Sequence, residues 1–340
     1  MTGSLPHEIG ALTGVRVLDF SDNRLKGTIP PSLGNMTGLQ TLWMYKNQFT
    51  GTLPTTVGLL TQLTAMHLYQ NDLSGTFPTE IGLLSRLRTM AVHDNPRLTG
   101  TIPTEVGSMV SLRDVRLSDN ALNGTIPSEV ANCVQLRSWI VSGNDLTGEI
   151  DRVLAFMPQS LLVMDLSDND FGGVVSPRIG RFGNLLELSL DYNTIGGSVP
   201  TEIGVLAPSL LSLDLFSNQL SGSIPSEVGL LTQLSYLSLG VNGIGGSLPG
   251  QLSNLRQLDV ISLADNNFVG NPSVLAGISS LQTVQLQNNN WTEVASICTN
   301  GPGILSLNAN SCDDADRFDC PCCTVCCNTP PYTEQFCRQV

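Results

Sequence analysis

Apolar and polar positions alternate in short bursts along this chain, and each burst closes on an asparagine. The frame Leu-x-Leu-x-x-Asn, with Ile, Val, Met or Ala sometimes standing in for Leu, ends on Asn23, Asn47, Asn71, Asn95, Asn120, Asn144, Asn169, Asn193, Asn218, Asn242, Asn266 and Asn289. The step is 24 residues with excursions to 23 and 25, so the chain holds twelve copies of one unit and a shortened thirteenth ending at Asn310. A fixed period of this length predicts stacked coils, each burying its apolar face only against its neighbours. Within a unit, alternation places the Leu positions on one side of a short strand and the intervening positions on the open side. The Asn amide, with two donors and a good acceptor, suits the corner after the strand and can run as a ladder from coil to coil. Gly four residues later permits a tight bend, and the following Ile-Pro or Leu-Pro favours extended backbone. Stretches such as "SEVGLLTQL" are too short for a stable α-helix and predict a 3₁₀ or single-turn segment.

The units read alike: "LDFSDNRLKGTIPPSLGNMTGL" is echoed by "VRLSDNALNGTIPSEVANCVQL" and "LDLFSNQLSGSIPSEVGLLTQL". This wording resembles the plant-type leucine-rich-repeat family, over roughly residues 1 to 310. The resemblance implies an α/β solenoid: a right-handed superhelix with a concave parallel sheet, short 3₁₀ or helical turns on the convex side, and a second short strand near Gly-x-Ile-Pro. Two units depart, with Asp151 and Ser176 where Pro is expected, so the second strand is expected to lose regularity there.

Composition narrows the function. Acidic residues number 29 against 16 basic, a formal charge of −13, which disfavours nucleic acid and anionic membranes as partners. Aromatics supply only 5% of residues, leaving Leu, Ile and Val to fill the core. No GxSxG, HExxH or P-loop string occurs, and His7, His67 and His93 have no partner set, so the chain reads as no enzyme, without cofactor or metal.

The ends speak to context. Met1 to Pro6 matches the second half of a repeat, which leads us to expect preceding sequence: a signal peptide, a cap or a membrane anchor. After the repeats come Cys298, Cys312, Cys320, Cys322, Cys323, Cys326, Cys327 and Cys337, read as a disulfide-stapled cap over residues 311–340 made in an oxidising compartment. A zinc site through Cys323 and Cys326 is the competing account. Similar tails with a CxCCTxCC run close leucine-rich-repeat arrays of diatoms and related algae. Cys133 reads instead as a buried structural thiol. Asn35, Asn123 and Asn290 are candidate glycosylation acceptors, and with the cysteines they favour an extracellular or cell-surface location.

Recognition in such arrays falls on the open face of the strands. Aligned on the Asn, units two to four place Trp43, Tyr45, His67, Tyr69 and His93 together on the outward positions, where clustered aromatics act as binding anchors. Arg88, Arg113 and Arg137 align across the next units with Arg116 beside them, and Asp94, Asp114 and Asp119 are expected to relieve their repulsion. An acidic stretch follows through Asp165, Asp168, Glu187, Asp191 and Asp214, with Tyr192 and Phe216 interleaved. The first reading is a receptor-like ectodomain or secreted binder of a peptide, protein or glycan; the alternative is a surface-adsorbing solenoid, for wall adhesion or ice binding, working through rows of Thr in "GTIP" turns.

Overall fold

The computed structural model of the chain describes residues 1–292, Ile297 and residues 306–308. It falls into two compact units, Met1–Gly172 and Gly173–Val340. The eight C-terminal cysteines lie outside the described residues.

In unit 1 each coil begins with a three-residue strand. Val17–Asp19, Thr41–Trp43, Ala65–His67, Thr89–Ala91, Asp114–Arg116, Ser138–Ile140 and Val163–Asp165 pair in parallel without slippage. The central residues Leu18, Leu42, Met66, Met90, Val115, Trp139 and Met164 therefore stack into one buried column. Trp139 takes a Leu position in that column and is fully buried. A second parallel sheet of eight strands runs from Thr2–Gly3 to Asp170–Gly172. The turns are five-residue 3₁₀ segments, such as Thr55–Leu59 and Thr79–Leu83, each entered through an extended Pro.

The expected irregularity around Asp151 falls in the turn, and the second sheet runs through it. Strand Asp145–Glu149 pairs normally with both neighbours. Without Pro after Ile150, the turn instead forms the seven-residue α-helix Ile150–Phe156, which buries Ile150, Val153 and Leu154 on one face. In unit 2 Ser176 takes the place of Pro by capping: its hydroxyl accepts from the Arg178 N–H at 3.3 Å.

Unit 2 repeats the first sheet through Glu187–Ser189, Ser212–Asp214, Tyr236–Ser238, Val260–Ser262, Thr283–Gln285 and Ser306–Asn308. Its second sheet is broken into a two-stranded and a three-stranded piece. Two of these strands, Gly196–Ser198 and Gly245–Gly246, begin on paired glycines, which favour strands poorly.

The Asn ladder holds both units. Asn71 donates from Nδ2 to the carbonyls of Leu68, three residues back in the same corner, and Met44, one coil earlier, at 2.9 and 3.0 Å, while its Oδ1 accepts from the Phe49 N–H at 3.0 Å. Asn266 in unit 2 repeats the pattern with Leu263, Leu239 and Ile244. The residue before each corner Asn is left-handed, φ 50–56° at its non-glycine examples. That conformation suits Asp and Asn, which accounts for the recurrent Ser-Asp-Asn strings as backbone chemistry. Among the described residues no helix is long and apolar enough to cross a membrane.

Candidate functional site

Strand register alone brings the outward residues of unit 1 into columns. Asp19, Trp43, His67, Ala91, Arg116, Ile140 and Asp165 are successive partners in one column. Two residues on, backbone bonds from each left-handed corner residue hold Tyr45, Tyr69, His93 and Ser118 in the next.

The aromatic members stack as they were expected to gather, and more tightly than free surface groups would. Tyr45 and Tyr69 lie 4.5 Å apart with their planes 5° from parallel, and Tyr69 and His93 lie 4.4 Å apart at 10°. Trp43 stacks on His67 at 6.1 Å and 17°. All five are half-buried as a result, and the Trp43 indole Nε1 is buried without a hydrogen-bond partner. His67 Nε2 is 3.2 Å from the Thr89 hydroxyl, a partner one coil away that sequence reading did not single out. Burial first, then the charges of Arg116 and His93, hold the His67 ring below its ordinary 6.5, so it is neutral at pH 7. Burial, followed by the Tyr45 phenol, raises Tyr69, which remains a protonated donor. The second His, His93, turns Nδ1 to the Asp94 carboxylate at 2.8 Å.

Arg88, Arg113 and Arg137 do stand side by side: Arg113 N–H donates to the Arg88 carbonyl and Arg137 N–H to the Arg113 carbonyl. All three, and Arg116, are exposed. The expected relief by Asp94, Asp114 and Asp119 is not found. None of the four guanidinium groups is ion-paired among the described residues. Asp94 and Asp119 occupy the left-handed corner beyond the strand, about 20 Å of extended backbone from the Arg column at its start. Asp94 is also taken by His93.

The acidic residues fall partly in each unit. In unit 1, Asp165 accepts from the Ser142, Ser167 and backbone Ser167 donors. In unit 2, Asp214 accepts from the Tyr236 hydroxyl at 3.1 Å, and Tyr192 meets Phe216 at 5.4 Å with the rings tilted by 58°. Burial, then Asp214, raises the Tyr236 phenol; it sits six residues before its Asn, outside the two columns compared in sequence. Asn35, Asn123 and Asn290 are all exposed. Cys133 is buried and unpaired, with burial pushing its thiol up to about 11.

Stacked parallel strands with an Asn corner and a variable outward face define a repeat scaffold of the kind that presents a binding surface. Leucine Rich Repeat models match residues 14–36, 111–133 and 209–231. A leucine-rich-repeat protein of Leptospira interrogans is 31% identical, with 91% of this chain covering 76% of that one at a TM-score of 0.74. The plant peptide hormone receptor RGFR1, solved in complex with RGF2, is 32% identical over 90% of this chain and 53% of its own, at a TM-score of 0.78. The Arabidopsis receptor kinase HAESA, in complex with the peptide hormone IDA and the co-receptor SERK1, is 26% identical over 90% of this chain and 52% of its own, at 0.79. The chain belongs to the leucine-rich-repeat family. It spans about half the length of these plant receptor chains. No curated protein sequence matches it significantly.

Proposed function

We propose that the chain is a non-catalytic recognition module, a receptor-like ectodomain or secreted binder, that takes a peptide or protein on the outward side of the first sheet of unit 1. The observation that carries this is the pair of aromatic stacks, Tyr45–Tyr69–His93 and Trp43–His67, on a face where every other requirement of the repeat is met by inward residues and the Asn corner. Large rigid rings held in place before binding lose little freedom on contact, which is what interface anchors require. Similarity to plant receptors solved with peptide hormones supports the same choice. The reading carries an extracellular setting, with the exposed Asn35, Asn123 and Asn290 as glycan acceptors and the C-terminal cysteines as an oxidised cap.

Panning a displayed library of random peptides against the purified chain tests it. Peptides retained by the wild type should be lost on a Trp43→Ala, Tyr69→Ala double variant that keeps its far-ultraviolet spectrum. Selected peptides that ignore this change would remove the aromatic face from the account.

One observation supports the adsorbing alternative. Thr28, Thr52, Thr76, Thr101 and Thr125 are all exposed at the same place in successive coils, and the methyl groups of the first four lie over Gly51, Gly75, Gly100 and Gly124 of the next coil. The row ends at Glu149, and unit 2 places Ser198, Ser223 and Ser247 there instead. Thermal hysteresis and ice-recrystallisation assays decide whether this row adsorbs to ice.

A further inference from the structure

The four arginines on coils four to six of unit 1 are charges that the fold does not explain. They meet in a chain with an excess of acidic residues, 29 against 16, yet no carboxylate answers them among the described residues. Backbone bonds of 2.8 and 2.7 Å fix Arg88, Arg113 and Arg137 in adjacent coils, about 4.8 Å apart. Exposed like charges at that spacing repel one another, and no ion pair among the described residues offsets it. The polar contact that Arg113 does make is to a neutral group, Gln135 Oε1 at 3.4 Å.

The aromatic stacks beside them ask for the same kind of partner. Rings packed face to face hide their electron-rich faces and turn outward their electropositive edges. Tyr69 is covered on both faces, by Tyr45 and by His93. A sugar that lies flat on a ring finds no free face at Tyr69, whereas a row of carbonyl oxygens finds ring edges and phenol donors along the stack. Cations on one side and donor edges on the other are complementary to a chain of acceptors.

We infer that the ligand of this face is an acidic peptide segment in extended conformation, lying across the strands with its carboxylates on Arg88, Arg113, Arg116 and Arg137 and its backbone carbonyls along the ring edges. This rests on the peptide-binding reading above and states which peptides that face selects. From Arg137 to His93 is two coils across and five positions along the strand, a diagonal of about 19 Å, which about six extended residues span; reaching Tyr45 takes about eight.

Fluorescein-labelled hexaglutamate, with hexaserine as the neutral control, supplies the test by anisotropy. Hexaglutamate should bind at least about tenfold more tightly than hexaserine and weaken as sodium chloride is raised. An Arg113→Gln, Arg137→Gln double variant should lose about tenfold in hexaglutamate affinity, whereas Arg152→Gln, the same kind of charge removal on the helix Ile150–Phe156, should change it by less than about twofold. Equal binding of the two hexapeptides, no binding of either, or equal effects per charge at Arg152 and at the Arg column would overturn the inference. Library peptides that need Tyr69 and ignore the arginines would also overturn it, and would leave the peptide-binding reading standing.

Discussion

Residues 1–172 and residues 173–292 are built on one frame and carry different surfaces. Both stack a short parallel strand per coil, bury its central residue and pin the corner with Asn. Unit 1 then adds a continuous second sheet and a stacked aromatic face, while unit 2 has a second sheet in two pieces and outward positions filled by Ser189, Asp214, Ser238 and Ser262. Even where strand geometry lapses in unit 2, the bonds persist: Gly243 N–H reaches the Leu220 carbonyl and Gly245 N–H the Gly222 carbonyl, both at 2.7 Å. The coil is therefore held by its buried column and its corner amides. The outward positions and the second strand are free to vary without loss of the frame, and this freedom is what makes the outward face usable for recognition.

The sharpest way to break that comparison is to remove the shared element. Asn71→Ala and Asn266→Ala each delete a buried amide that bonds four backbone groups, at 7% and 8% exposure. Each should cost about 3 kcal/mol or more, seen as similar drops in urea midpoint. A large effect in one unit and a small one in the other would show that the units are held differently.

A second test concerns coil spacing at the turns. A Cβ on Gly58 would stand 2.5 Å from the Glu80 carbonyl oxygen, backbone that cannot swing aside, whereas one on Gly180 meets nothing closer than 3.4 Å. Gly58→Ala should therefore destabilise by about 2–3 kcal/mol and Gly180→Ala by about 0.5 kcal/mol or less, by thermal or urea unfolding. The chain itself shows the rule relaxed: the corresponding position is Ala131 in the coil that precedes the α-helix.

The surface contrast predicts a smaller effect. Tyr69 is stacked on both sides and Tyr192 is 54% exposed. Tyr69→Ala should lower stability by about 1–2 kcal/mol, and Tyr192→Ala by about 0.5 kcal/mol or less. The aromatic face thus carries some stability of its own, and its variants need a folding control.

The smallest expected effect is on pH. His67, faced by Trp43, Tyr69, Thr89, His93 and Arg116, has its folded pKa below the ordinary 6.5. The unfolded chain then binds the proton more readily, so stability falls as pH is lowered from about 6.5 through the folded value and levels off beneath it. Unfolding of the wild type and of His67→Gln across pH 7.5 to 5 should differ in slope only in that window; parallel curves would mean that the stack tolerates the charged ring.

How much of this was legible beforehand follows from what repeats. Period, strand, corner and 3₁₀ turn all appear in the chain as recurring residues, because each coil must meet the same neighbour through the same bonds. Residues such as Tyr45, Tyr69 and His93 fell into one column for the same reason: register in a parallel stack is the alignment itself. The sequence by itself thus determined the frame and which side chains would be neighbours across it. Only the tertiary structure decided how those neighbours use one another. It closed the rings face to face and buried the Trp43 Nε1, left the arginines without an ion pair while Asp94 went to His93, and let Ile150–Phe156 wind into a helix once Pro was gone. Those outcomes depend on rotamers, backbone direction at the corner and space in the adjoining coil, none of which a one-dimensional alignment records.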